Sequence, residues 1–554
     1  MKPDIRWQLL LAVTGLGLVL LLLSLQPQSA AVCTTRIPSG GGTFVEGMIG
    51  RPLTMNPLLS DPYPVDRHIA NLVFDGLVRF DETGNILPAL AEEWSISEDG
   101  LTVTFTLRPD ALWHDGRPVT TRDVAFTYGL IQDEAFPGPE RLRTFWQAVT
   151  IMEIDEQTIQ FTLPQPYGPI FLAVARGILP AHELEDTPAA ELAESPFNLA
   201  PIGTGPFRVP AGQDWAQAGF LRLAPNPDYW PDGTQLSDIE LRFFPDAESL
   251  LVAYESGELH AANGFPSTML PRLAERDDTR IFTSVVPRYT SLLFNIGETG
   301  SAPLKPKEAR QALAFVLDRS RLIDTILNGQ GVEFDGPYIP DSWAARPALM
   351  TSYSYQPETA AALLDGIGLT MGESGLRQID GQALTFRLLS MDSPDERAIA
   401  EEIARQWREL GIEVQIEYAA DTVEFRQALR DRSFDVALTE VLAPPDPDLY
   451  DFWSQEAIVR GQNYGGWNSR RASEALETAR QLYPPDARAP HYESFLRQFD
   501  GDLPALTLYQ HVDVYALNNA VQQAEIGRVW EPRDRFQTLA SWFLNFRDIP
   551  VNCP

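Results

Sequence analysis

A chain of 554 residues exceeds what one hydrophobic core usually serves, so two or three domains are expected, and 44% hydrophobic with 21% charged residues is the composition of a folded globular body. The formal net charge of −33, from 43 basic and 76 acidic residues, repels phosphate backbones and anionic lipid surfaces. Nucleic acid is thereby excluded as an expected partner.

Lys2 and Arg6 precede an uncharged run of 17 residues, Leu9 to Leu25, and the small-residue stretch Ser29-Ala30-Ala31 follows. This is an export signal, and residues 1–32 are expected to act either as a cleaved signal peptide or as a retained membrane anchor through residues 9–25. Ser29 and Ala31 suit the −3 and −1 positions of a cleavage site. In both cases the positive flank stays inside and the body is exported, to the periplasm or the outer face of the cytoplasmic membrane. The two cysteines, Cys33 and Cys553, lie outside this segment. Val32 is not the small residue that precedes a lipid-modified cysteine, and an oxidising compartment leaves a Cys33–Cys553 disulfide or two free terminal thiols.

From about Thr43 the sequence is continuous and globular, without solenoid repeats. In "LTVTFTLR", Leu101, Val103, Phe105 and Leu107 alternate with threonines and Arg108, the pattern of a half-buried strand. Thr120 and Asp123 form a capping-box-like start for a helix whose face carries Val124, Tyr128 and Ile131. Between them "WHDG", Trp113 to Gly116, reads as a turn anchored by an indole. His114 is therefore expected to be scaffold rather than a catalytic base.

A second run begins with the strand Leu384 to Asp392. A helix follows with Ile399, Ile403, Trp407 and Leu410 on one face and Gly411 at its cap. The strand "GIEVQIEY", the short helix "VEFRQALRD" and the strand Phe434 to Val441 complete a β-α-β-α-β unit. Such a unit forms a parallel sheet with right-handed crossovers, and ligands gather beyond the carboxyl ends of its strands.

These segments, with "NLVFDGLVRF", "PIGTGPFRV", "NPDYW", "YTSLLFNIG", "ARQALAFVLDRSRLI", "PDPDLYDFWS", "NYGGW" and "LPALTLYQHVDVYALN", resemble in their order the extracellular solute-binding proteins of family 5, the peptide/nickel-type receptors of ABC importers. The resemblance spans Thr43 to about Asn518. It implies an α/β, bilobed fold of the type II periplasmic-binding-protein kind, with an accessory domain and thus three domains in two lobes. Residues 43–74, 201–286 and 509–554 would form lobe I, 75–200 the accessory domain and 287–508 lobe II. "YTSLLFN" and "LPALTLYQH" would cross between the lobes. The implied function is capture of an oligopeptide-like or other polar solute by hinge closure, for delivery to transmembrane permease subunits, without catalytic residues or a cofactor. An oligosaccharide or a metal chelate such as nickel or haem is the alternative solute.

An exported hydrolase is the rival class. No GxSxG elbow, HExxH helix or P-loop is present, and "HELED" at His182 lacks a second histidine. The six histidines, at 68, 114, 182, 260, 491 and 511, show no ligand-like spacing, so no metal site is expected. For the cleft, the resemblance points to Tyr63 and Asp66 in "LSDPYPVDRH", to Tyr289, and to Asn463, Tyr464 and Trp467 of "NYGGW", together with Asp446. Peptide-binding relatives carry Gly-Trp and then an aspartate that receives the peptide's amino group. Counted back from Asp446-Pro447, that aspartate falls on Ala443 and the tryptophan on Glu440. The amine anchor is missing, and Glu440, at the end of a buried strand face, needs an internal cationic partner or a donor on the solute.

Overall fold

The computed structural model describes residues 3–24, 33–61, 63–213, 215–230 and 233–551. The N-terminal segment forms a helix, Pro3–Ser24. Among the described residues no helix is long and apolar enough to cross a membrane.

Eleven strands form the main sheet. In chain order they are β1 (Thr43–Ile49), β2 (Phe207–Arg208), β3 (Phe220–Pro225), β4 (Asp238–Phe244), β5 (Ala261–Asn263), β6 (Thr279–Phe294), β7 (Gly331–Val332), β8 (Thr385–Met391), β9 (Glu413–Ala419), β10 (Val436–Leu442) and β11 (Ala505–Asn518). The spatial order is β9-β8-β10-β6-β11-β5-β1-β4-β3-β2, with β7 added on β11. The β-α-β-α-β unit read from sequence is the β8, β9, β10 end, parallel throughout.

The two long central strands hold the lobes together. β6 and β11 pair antiparallel over Thr279 to Val285 and again over Tyr289 to Leu293, and the register shifts between Val285 and Tyr289. Beyond that shift β10 joins β6 on one side, and before it β5 joins β11 on the other. A bulge in the middle of two shared strands, with different neighbours at either end, is where a sheet bends most easily.

Separate cores back the two ends. Leu292, Leu388, Ile403, Trp407 and Leu438 lie in one buried cluster of lobe II, and Phe495, Phe499, Trp453 and Trp467 in another on the opposite face. Phe44, Leu241 and Trp542 belong to the lobe I core, which continues into the accessory sheet through Phe105, Tyr128 and Phe161. That sheet has four strands, ordered Ala91–Ile96, Thr102–Leu107, Thr158–Thr162, Thr150–Glu153.

"WHDG" is scaffold. Trp113 is fully buried, its indole N–H donates to Asp123 Oδ2 at 3.3 Å, and Gly116 takes φ +85 in the turn. Thr120 N–H donates to the same Oδ2 at 2.9 Å and starts the helix Thr121–Gln132. His114 Nδ1 accepts from Gly203 N–H at 3.1 Å, while Nε2 lies 3.1 Å from the Gly205 carbonyl. The imidazole thus ties the accessory domain to the strand leading back into lobe I. Burial holds its pKa below the ordinary histidine value, so the ring is neutral in this role. His114→Ala is expected to cost about 1–3 kcal/mol of stability by leaving the Gly203 N–H unpaired. Affinity for solute is expected to stay unchanged; thermal unfolding and calorimetry on the variant check both.

Candidate functional site

Strand direction locates the cleft. β11 runs from lobe II into lobe I, so β5, antiparallel to it, and β1 and β4, parallel to β5, all point their carboxyl ends at lobe II. β6 runs the other way, so β10 and the parallel β8 and β9 point theirs at lobe I. The loops after β1, β4 and β5 therefore face those after β8, β9 and β10. In open parallel sheets this is where ligands bind.

The lobes are in contact across that line. Ser267 Oγ donates to the Ile326 carbonyl at 3.0 Å, Asn328 Nδ2 donates to the Ser267 carbonyl at 2.9 Å, and Arg528 of the C-terminal segment pairs with Asp341. The accessory domain also reaches lobe II: Tyr483 O–H donates to the Gly100 carbonyl at 2.6 Å and Gly168 N–H to the Arg480 carbonyl at 2.7 Å. Among the large side chains left exposed are Leu53 and Tyr63 after β1, Val423 in the helix Thr422–Asp431 after β9, and Leu442 at the end of β10.

At the end of β10 a small recess of about 10 Å³ is lined by Tyr289, Tyr338, Ile339, Val441, Ala443 and Pro447 among others. Trp530, from the C-terminal segment of lobe I, packs against the same apolar group. Tyr289 is buried and its O–H donates to the Pro337 carbonyl at 3.1 Å, so it forms a wall of the recess.

Glu440 sits in a charged group on the hinge strands. Arg288 on β6 lies 3.7 Å from it and bonds Asp513 on β11 at 2.8 Å; His511 Nε2 is 3.7 Å from Glu440 and 2.8 Å from Thr290 Oγ1. The partner is thus on a crossing strand. Burial raises the pKa of Glu440, and Arg288 opposes that shift. At these distances and with a side chain 44% exposed, Glu440→Gln is expected to change stability by less than about 1 kcal/mol. Urea unfolding of the variant checks this.

Several of the expected site residues make hydrogen bonds within the fold. Asp66 is fully buried and accepts the N–H groups of Leu53 at 2.8 Å and Thr54 at 3.2 Å, so its carboxylate shapes the loop after β1. Asp446 makes two bonds to Arg488, at 2.6 and 2.7 Å. Asn463 Nδ2 donates to the Ser454 and Trp467 carbonyls and its Oδ1 accepts from Trp467 N–H. Trp467 is buried, with its indole N–H on Asp502 at 2.9 Å, and half-buried Tyr464 packs on the same cluster. A Cβ at Gly465 would meet the Phe294 carbonyl at 2.5 Å, which explains the paired glycines of "NYGGW" as a turn pressed on β6. Tyr63 stays exposed, just before the helix Pro64–Val73. Tyr338, Ile339 and Trp530 were not singled out from sequence. No local pattern separates a recess-lining aromatic from a core one.

Comparison with known proteins agrees with this geometry. Residues 85–458 match the bacterial extracellular solute-binding proteins, family 5 Middle. The chain belongs to that family and is an extracytoplasmic solute-binding protein of bilobed α/β fold. The oligopeptide-binding protein AppA of Bacillus subtilis is 26% identical over 518 residues, 92% of each chain. Its solved structure, in complex with a nonapeptide, superposes with a TM-score of 0.72 at 24% identity, covering 92% of this chain and 100% of that one. NikZ from Campylobacter jejuni, in complex with Ni(L-His), gives 0.73 at 23% identity, over 90% and 99%.

Proposed function

We propose that this protein is the receptor of an ABC-type importer that takes up a peptide-like solute, closing on it by bending at the β6/β11 bulge and presenting the closed form to transmembrane permease subunits. The observation that carries the reading is the facing of six strand ends across two shared strands. Oligopeptide- and dipeptide-binding proteins among the relatives favour a peptide over other solutes. The cluster Asp115, His182 and Glu183, the one group of metal-ligand type among the described residues, lies in the accessory domain rather than on the cleft loops. Its Asp115 and His182 already bond each other at 3.1 Å.

The division into lobe I (43–74, 201–286, 509–554), accessory domain (75–200) and lobe II (287–508) is retained in this reading; the separate cores on either side of the bulge support the split between lobe I with its accessory domain and lobe II. Export is assigned to the Leu9–Leu25 segment. Pairing of Cys33 with Cys553 also belongs to the proposal. Cys553 lies outside the described residues, but the strand Cys33–Ser39 pairs with Asn545–Val551 and sets Cys33 opposite Val551. Thiol titration of the denatured, unreduced chain reads zero if the pair forms and two if it does not.

Mass spectrometry of the solute released on denaturation tests the function. A peptide, recovered intact after incubation with the folded protein, is the expected result; a saccharide, a metal chelate or cleaved peptide would contradict the reading.

A further inference from the structure

We infer that the accessory domain is a clasp: its turn at Tyr167 and Gly168 docks into a preformed socket on lobe II when the lobes close, and this contact sets how long the closed form holds its solute. The inference rests on the lobe division and the closure proposed above.

The accessory domain is joined by chain to lobe I at both ends and shares one buried core with it. Among the described residues, the two lobe II cores take no buried side chain from residues 75–200, and Tyr483 touches the shared core only from outside. Bending at the β6/β11 bulge would therefore carry the accessory domain with lobe I and part it from lobe II. What joins them in the closed arrangement is a set of surface contacts. Gly168 N–H donates to the Arg480 carbonyl at 2.7 Å, Tyr483 O–H donates to the Gly100 carbonyl at 2.6 Å, and Tyr167 N–H donates to the Tyr483 oxygen at 3.3 Å. Trp343 N–H reaches the Thr83 carbonyl at 3.4 Å, and Arg141 pairs with Asp451.

Each half of the contact is supported from within its own domain. The Arg480 guanidinium donates to Asp448 at 2.7 Å and lies 4.2 Å from the Tyr450 ring centre, both in lobe II, while the Tyr167 ring covers it at 5.2 Å from the accessory side. Tyr167 in turn rests on Phe145 of its own domain, with 5.1 Å between ring centres. Tongue and socket are thus both in place before they meet.

Three buried glycines of the accessory domain let lobe II approach. A Cβ at Gly168 would overlap the Leu482 carbonyl oxygen, one at Gly84 the Pro445 carbonyl oxygen, and one at Gly100 would crowd the Tyr483 ring. Gly84 and Gly100 also take positive φ, +86 and +71, which favours glycine whatever lies nearby. Gly168 does not, and the atoms nearest its Cβ all belong to lobe II. A side chain there has room until the lobes close.

The test uses the full-length protein, stripped of solute by denaturation and refolding, with the small-molecule fraction released from it as the probe. Gly168→Ala is expected to leave the urea midpoint of the stripped protein unchanged, to keep its radius of gyration at the stripped value when the probe is added, and to bind the probe about tenfold more weakly than wild type. Tyr483→Phe, which keeps the ring and removes its two hydrogen bonds across the contact, is expected to release the probe about fivefold faster. A Gly168→Ala protein that contracts and binds like wild type overturns the clasp and leaves closure intact. One that folds but unfolds at lower urea when stripped shows a domain docked permanently on lobe II, and overturns it too. If Gly168→Ala fails to fold, unchanged release from Tyr483→Phe is sufficient to reject the inference. A wild type whose radius does not respond to the probe overturns closure, and the clasp with it.

Discussion

Replacing Asp446 with alanine is expected to destabilise the protein by about 3–5 kcal/mol, the cost of leaving the Arg488 charge buried without its partner. Both residues are nearly inaccessible, at 5% and 3% exposure, and their two bonds make a bidentate pair. Arg488 further lies 5.4 Å from the Trp343 ring centre and 5.3 Å from that of Tyr492, contacts that only a cation makes well. Desolvation of the pair offsets much of its attraction, so Asp446→Leu combined with Arg488→Met is expected to recover most of the loss. Urea unfolding of the two variants measures this. Were Asp446 a solute contact, the alanine variant would keep its stability and lose affinity.

Two groups beside the hinge are expected to pull stability in opposite directions between about pH 4.5 and 6.5. Glu396 opens the helix Pro394–Glu409, and burial, with Glu440 and Asp395 nearby, pushes its carboxyl up to about 7. Met391 N–H and the Ser390 hydroxyl offset this only in part. Its folded pKa lies above the unfolded one, so its stabilising effect is complete below about pH 4.5 and is lost as pH rises through 7. His511 is driven down to about 3 by burial and by Arg288. The unfolded chain then takes up a proton near pH 6.5 that the folded chain refuses, and stability falls as pH drops from there toward 3. Each slope is at most about 1.4 kcal/mol per pH unit. Glu396→Gln removes one of them. It should add about 1–3 kcal/mol at pH 8 and expose the acid loss due to His511. Urea midpoints from pH 4.5 to 8.5 test this; parallel wild-type and variant curves would show that Glu396 does not titrate in that range.

Local pattern carried much of the fold. Ile399, Ile403 and Trp407 at helical spacing, the alternation of Val103, Phe105 and Leu107, and the Thr120–Asp123 cap all stand where their spacing places them, because each depends on neighbours within one element. The β-α-β-α-β run also foretold the parallel strands whose carboxyl ends face the other lobe. The site itself depends on partners far away in the chain. Asp446 finds Arg488 42 positions later and Trp530 packs against the cluster of Tyr289, Phe334, Ile339 and Ala443, and nothing in either neighbourhood announces the match. For that reason the hydrogen bonds that Asp66, Asp446, Asn463 and Trp467 make within the fold were not legible in the sequence. Tyr338 and Trp530 are aromatic residues in ordinary loop sequence. Only the folded arrangement sets them at the recess.

Small-angle scattering tests the central claim, that two lobes bend about β6 and β11 to enclose a solute. The exported body is stripped of solute by denaturation and refolding, then resaturated with the solute recovered from it. The account predicts a smaller radius of gyration in the resaturated protein, with a scattering curve that matches the closed arrangement in which Ser267 meets Asn328 and Arg528 meets Asp341. An unchanged radius at saturation would contradict it.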